Sequence, residues 1–200
     1  MYYNVRLEDT VRIPPNKFGD DLNKVVTKIV QETFEGTMKK KHGLIVIADE
    51  IEPIGNGVVI HGDGAMYQKV AFSALTYKPE LQEIIDAVVC EIVEFGAFCH
   101  IGPLDALVHM SQIMNDYVEV DSESEVITGK EKKQMLQTGD PVRARIVAVS
   151  LNELSSRESK IGLTMRQPSL GAHKWIYEEE DGKKKKGSKK SKKDKGKDKK

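Results

Sequence analysis

Residues 94–109 read EFGAFCHIGPLDALVH. Phe95 and Phe98 flank a Gly-Ala pair, and His100 and His109 stand on either side of a Gly-Pro turn. Side chains on a strand alternate between its two faces. Before the glycine, Val88, Cys90 and Ile92 form one apolar row, with Glu91, Val93 and Phe95 on the other face. After it, Cys99 and Ile101 form the apolar row, and Phe98 and His100 lie opposite. The inward row thus moves from even to odd numbers, and one extra residue must be absorbed between Ile92 and Cys99. Gly96-Ala97 is where a bulge is expected, with two residues opposing one. That bulge would put both phenylalanines on one outward face.

The surrounding chain supplies the rest of that face. From Glu80 to about Leu170, short strands with glycine-marked turns are expected near 86–93, 97–102, 105–109, 141–149 and 160–165. Five short strands in about ninety residues suit a small closed barrel. In PVRARIVAV (141–149), Val142, Ala144, Ile146 and Ala148 point inward and leave Arg143 and Arg145 outside. In KIGLTM (160–165), Ile161, Leu163 and Met165 point inward and leave Lys160 outside. His109 ends the third strand. Two aromatics, two histidines and these cations make a stacking platform beside phosphate-neutralising groups. Single strands are bound on such platforms because every base offers a π-face, each stack contributing about 1–3 kcal/mol. The alternative is that barrel curvature tucks some of these residues under loops. The long segment 111–140 separates strands three and four, and SQIM within it suits a short helix capped by Ser111.

The first eighty residues follow a different plan. VRLEDTVRI (5–13) is a strand ended by Pro14-Pro15. Asp20 or Asp21 suits the cap of a helix whose apolar positions are Leu22, Val25, Val26, Ile29, Val30 and Phe34, a one-sided spacing. Strands are expected at 44–54, 58–65 and 66–77, with a Gly-Asn-Gly turn at 55–57. A β-α-β-β-β order results, with one helix on one face of a small antiparallel sheet. Lys78-Pro79 marks the boundary, since the residue before proline resists helix. The fold class is therefore α+β: an RNP-like domain over 1–79, a five-stranded barrel over 80–177, and a disordered lysine-rich tail over 178–200.

Charge is segregated along the chain. Residues 183–200, KKKKGSKKSKKDKGKDKK, hold 12 of the 31 basic residues and 2 of the 31 acidic ones. The remainder carries 19 basic against 29 acidic residues, a net of −10. Such a body binds nucleic acid through a local patch, not through bulk charge. The tail adds either salt-sensitive attraction to nucleic acid or only solubility. No apolar run approaches the roughly 18 residues of a membrane span, and no signal-peptide pattern opens the chain, so a cytoplasmic protein without membrane contact is expected. Cys90 and Cys99 form no CxxC pair and read as small core residues. Met110, Met114 and Met135 read as packing residues.

Catalysis finds no support. HGDGAMYQK lacks the GxxxxGK[ST] phosphate loop. His61, His100 and His109 show no convergent spacing, and no acidic or thiolate help that would hold a metal. Asp20-Asp21 is a cap rather than a catalytic pair, and no nucleophilic triad is visible. No catalytic site, metal or cofactor is expected. The loops of the first domain instead suit docking. RIPPNKFG (12–19) is stiffened by Pro14 and Pro15 and presents Asn16 and Phe18, while Gly62, Asp63 and Gly64 make a tight turn that admits a partner's backbone.

EIVEFGAFCHIGPLDALVHMSQI, followed by GDPVRARIVAVS and KIGLTM, resembles the S1 RNA-binding family of OB-fold barrels. The resemblance implies RNA stacked on Phe95 and Phe98, with contacts from His109 and Lys160. Ala87 and Ala106 stand where that family usually has glycine, and Ser150 stands near its acidic residue. Over about 1–177, MYYNVRLEDTVRIPPNKFG, HGDGA, ALTYKPELQEII and LTMRQPSLGAHKWI resemble the E-prime family of archaeal RNA polymerase subunits, counterpart of the seventh subunit of eukaryotic RNA polymerase II. Ser169 departs from the commoner glycine. That resemblance implies a non-catalytic stalk subunit that forms a heterodimer with the small helical F-type polypeptide of the same RNA polymerase. Its N-terminal loops would dock on the core enzyme, and its barrel would meet the single-stranded nascent transcript. A free-standing S1-domain factor of translation or RNA decay is the alternative.

Overall fold

The computed structural model describes residues 1–19, 21–121, 124–131, 133–153 and 159–177. The basic tail and Asp20 lie outside them. The chain divides into two compact units, Met1–Glu80 with Val149–Lys160, and Leu81–Ala148 with the chain from Ile161 onward.

The first unit contains β1 (Tyr2–Ile13), α1 (Leu22–Phe34), β2 (Met38–Lys39), β3 (Gly43–Val59) and β4 (Met66–Tyr77). The sheet order is β1-β4-β3-β2, and its pairings are antiparallel. Asp21 caps α1, its carboxylate accepting from the Asn23 N–H at 3.1 Å. Val25, Val26, Ile29, Val30 and Phe34 pack onto Val11, Ile13, Ile45, Val70 and Phe72, with the Phe34 and Phe72 rings 5.0 Å apart.

The β-α-β-β-β order is present, but its members differ from expectation. Gly55-Asn56-Gly57 is not a turn. It lies inside the 17-residue strand β3, at a register irregularity between Ile54 and Val58. Gln68 explains why: its buried amide donates to the Ile54 carbonyl at 3.0 Å and the Gly55 carbonyl at 3.3 Å. A long-range side chain thereby pairs the carbonyls that a strand irregularity frees. The hairpin turn falls later, over 60–65, so the expected strand at 58–65 survives only as the end of β3.

The second unit is a barrel of β5 (Ile84–Val93), β6 (Gly96–His100), β7 (Asp105–His109), β11 (Pro141–Ser150) and β12 (Lys160–Thr164). Neighbours run β12-β7-β6-β5-β11, and pairing of β11 with β12 closes the ring. Its interior is lined by small and branched side chains, among them Ala87, Val89, Ile92, Ala97, Cys99, Ala106, Val142, Ile146 and Leu163. The burial of Ala87 and Ala106 accounts for small residues at both places.

In the barrel, strand pairing sets several faces differently from alternation alone. Ala87 and Val89 face inward, while Val88 is 46% exposed. The register shift lies between Val89 and Glu91, so Cys90 is the extra residue, not Gly96-Ala97. Glu94 and Phe95 form a two-residue turn between Val93 and Gly96, which pair with each other. Ala148 is exposed rather than inward.

The segment 111–140 also holds more structure than expected. Strands β8 (Val118–Asp121), β9 (Val126–Gly129) and β10 (Met135–Gln137) form a separate antiparallel sheet. The turn of 3-10 helix at Met110–Gln112 is capped by His109, not Ser111. Of the three methionines, Met114 is buried, Met110 half-buried and Met135 exposed.

Candidate nucleic-acid interface

Gly96 organises the aromatic end of the barrel. A Cβ there would lie 2.1 Å from the Val108 carbonyl oxygen, so only glycine lets β6 approach β7 this closely. The Met110 N–H donates to the Phe95 carbonyl at 2.9 Å and pins the turn. Phe95, 50% exposed, and the half-buried Phe98 then meet edge to face, their ring centroids 6.3 Å apart at 84°. His109 pairs with Gly96 across the strands and so joins this cluster. Its Nδ1 accepts the Ser111 N–H at 3.3 Å and lies 2.9 Å from the Ser111 hydroxyl. Accepting at Nδ1 leaves Nε2 as the protonated donor of this exposed ring.

The remaining residues of the expected face are distributed around it. His100 lies on the same outward side of β6 as Phe98, held by Asp105, its register partner on β7. Lys160 is exposed at the start of β12, two residues before Gly162, the partner of Leu107. It carries no ion pair among the described residues. Arg143 and Arg145 lie on β11, separated from β6 by β5. Arg143 donates to Asp86 at 2.9 Å, and the Asp86 carboxyl is held below its usual range first by that bond and then by His173. Arg145 is half-buried, and its Nε has no partner among the described residues.

Parity placed Glu91 on this face but left out two further acids, Asp86 and Asp105. Glu91 pairs with Phe98, and Asp86 and Asp105 are also exposed. The outward surface therefore sets its aromatic rings among charges of both signs. Parity also missed the help available to His100. The fold brings Cys90 and Asp105 to that ring, contrary to the expectation that no thiolate or acid accompanies a histidine. The signal is absent from the sequence because the three residues meet across three strands.

The first unit carries a second candidate surface. Pro15 opens a turn of 3-10 helix, Pro15–Lys17, after which Phe18 is 47% exposed. A Cβ on Gly64 would stand 3.8 Å from Pro15 Cγ, so the two expected docking loops adjoin. Gly62 and Gly64 have φ of 99° and 68°, the left-handed region that favours glycine. Between them, Asp63 accepts from Arg12 Nε at 2.9 Å and Nη2 at 2.6 Å, and from the Tyr67 hydroxyl at 2.8 Å. Those bonds, Arg12's first, draw the Asp63 carboxyl down to about 2. Asn16 is exposed beside them. Val58, Val59 and Ile60, at the same hairpin end, are all exposed and were missing from the sequence-based set. Together with Phe18 they give this unit four exposed large apolar side chains in or next to the two loops.

A closed five-stranded barrel with an outward aromatic pair places this unit in the OB-fold class of small barrels. Residues 78–161 match the family described as "S1 RNA binding domain", and residues 8–64 match "SHS2 domain found in N terminus of Rpb7p/Rpc25p/MJ0397". DNA-directed RNA polymerase subunit Rpo7 of Saccharolobus solfataricus is 37% identical over 88% of this chain and 97% of its own length. The Sulfolobus acidocaldarius Rpo7 is 36% identical over 90% of this chain and 97% of its own length. Subunit RPB7 of RNA polymerase II from Glycine max is 27% identical over 76% and 86%. The chain belongs to the Rpo7 family of DNA-directed RNA polymerase subunits, a transcription protein with an S1 RNA-binding domain. Among its described residues, no helix is long and apolar enough to cross a membrane.

Proposed function

We propose that this chain is a non-catalytic stalk subunit of a cytoplasmic RNA polymerase. It pairs with the small helical F-type polypeptide of that enzyme, docks on the core through Pro15, Asn16, Phe18 and the Gly62–Gly64 turn, and binds the emerging single-stranded transcript on its barrel. Phe95, Phe98 and His109 make the centre of the RNA surface, with His100 and Lys160 beside it and Arg143 and Arg145 at its margin. The observation that carries the RNA assignment is the Phe95–Phe98 pair on a turn held by Gly96. Exposed Phe18 and Val58–Ile60, clamped beside Asp63, support docking. Match over nearly the whole length of polymerase subunits favours this role above that of a free-standing S1 factor.

The test is photocrosslinking of nascent RNA in a polymerase reconstituted with the F95A/F98A/K160A chain. Loss of the crosslink to this chain with assembly intact is expected, and an unchanged crosslink would overturn the RNA surface. Co-purification from native cells with a small helical protein and the large polymerase subunits tests the assembly. Recovery alone or with ribosomes would overturn it.

A further inference from the structure

Three neighbouring strands converge on one spot of the barrel's outer surface. Cys90 is the residue that the β5 bulge leaves without a cross-strand partner, placed between Val89, which pairs with Cys99, and Glu91, which pairs with Phe98. It is only half-buried, unlike Cys99, which is fully buried. His100 comes from β6 and Asp105 from β7, directly opposite one another. One ligand atom from each, the Cys90 sulfur, a His100 ring nitrogen and an Asp105 oxygen, all lie within 4.8 Å of one another.

We propose that Cys90, His100 and Asp105 bind a borderline-soft divalent transition-metal ion, of which Zn²⁺ is the reference case. A thiolate, an imidazole and a carboxylate are the donor set that zinc accepts, and three protein ligands leave a fourth position open. Tetrahedral zinc with bonds of about 2.0–2.3 Å requires ligand atoms roughly 3.3–3.7 Å apart, so the ion would replace the His100–Asp105 contact, with small side-chain rotations bringing the three atoms onto it. The strands already fix the three Cα positions, so little backbone ordering is needed. Burial, and then the charge of Asp105, push the Cys90 thiol up from its ordinary value, and Glu91 adds to this. A dication reverses that bias and holds the thiolate. Binding releases the thiol proton to solvent, as metal uptake by a thiol ligand requires, while the neutral imidazole keeps its one N–H on the nitrogen that does not ligate. The site is separate from the Phe95–His109 cluster but on the outward side of β6 that also carries Phe98.

The experiment titrates the reduced, full-length chain with Co²⁺ and follows the thiolate-to-cobalt charge-transfer absorption, then displaces the cobalt with Zn²⁺. One-to-one saturation is expected, with the band lost in C90S. Affinity should fall by at least the roughly 10–100-fold that losing a supporting partner costs in H100Q and D105N. Alkylation of Cys90 in the unsubstituted chain should be suppressed by Zn²⁺, a readout that needs no variant to fold. Absence of the band, its survival in C90S, equal affinity in H100Q and D105N, or alkylation indifferent to Zn²⁺ would each overturn the proposal.

Discussion

Arg12 grips Asp63 with two parallel hydrogen bonds of 2.9 and 2.6 Å, tying the end of β1 to the hairpin that follows β3. Asp63 is thus the peg that holds the two loops together, with Tyr67 as its third partner. Planar guanidinium and carboxylate match in this geometry, which adds direction to attraction.

The acid limb of stability should report this pair. A carboxyl at about 2 in the folded chain and 3.8 when unconstrained contributes stability above its unfolded value, and loses it as pH falls towards the folded one. Thermal melting followed from pH 6 down to pH 2 should therefore show a decline between about pH 4 and 2 that is smaller in D63N. Identical acid limbs for the two chains would contradict the assignment.

RNA affinity should depend on rings more than on charges. Phe95→Ala and Phe98→Ala are each expected to weaken single-stranded RNA binding by about 1–3 kcal/mol, the range of one base stack. Arg143→Gln should have a smaller effect, because Arg143 already pairs with Asp86. Fluorescence anisotropy with a short labelled oligonucleotide, at fixed salt, measures all three.

The irregularity in β3 should fail without its amide plug. Gln68→Leu removes the donor to the Ile54 and Gly55 carbonyls in a position with only 1% of its surface exposed. Losing these part-buried bonds is expected to cost about 0.5–1.5 kcal/mol in urea unfolding.

Ser169 should be improvable. Its φ of 65° is left-handed, a conformation costing non-glycine residues roughly 1–2 kcal/mol. Ser169→Gly relieves that strain and gives part of it back as unfolded-chain entropy, for a net gain of about 0.5–1 kcal/mol. Urea midpoints of the two chains decide the sign.

Much of the fold was legible because its signals are local. The apolar spacing of Val25, Val26, Ile29 and Val30 and the cap Asp21 describe α1 without reference to the rest of the chain. The five barrel strands were placed within a few residues of their ends, and β7 at its observed limits. Strands β8 to β10 were missed because VEVDSESEVITGKEKKQML is too polar for its alternation to stand out. Of the candidate surfaces, Phe95 and Phe98 were legible as outward aromatics, although the bulge expected at Gly96-Ala97 falls at Cys90 instead, and Phe95 is exposed by a turn.

Local sequence signals settled α1, the five barrel strands, and the outward placing of Phe95 and Phe98. Tertiary structure alone decided where the β5 bulge falls, which carboxylates silence Arg143 and His100, and that Asp63 closes onto Arg12. The reason is register. Alternation along one strand states which residues share a face, but a shift of one residue exchanges the faces, and only pairing with the neighbouring strand chooses between them.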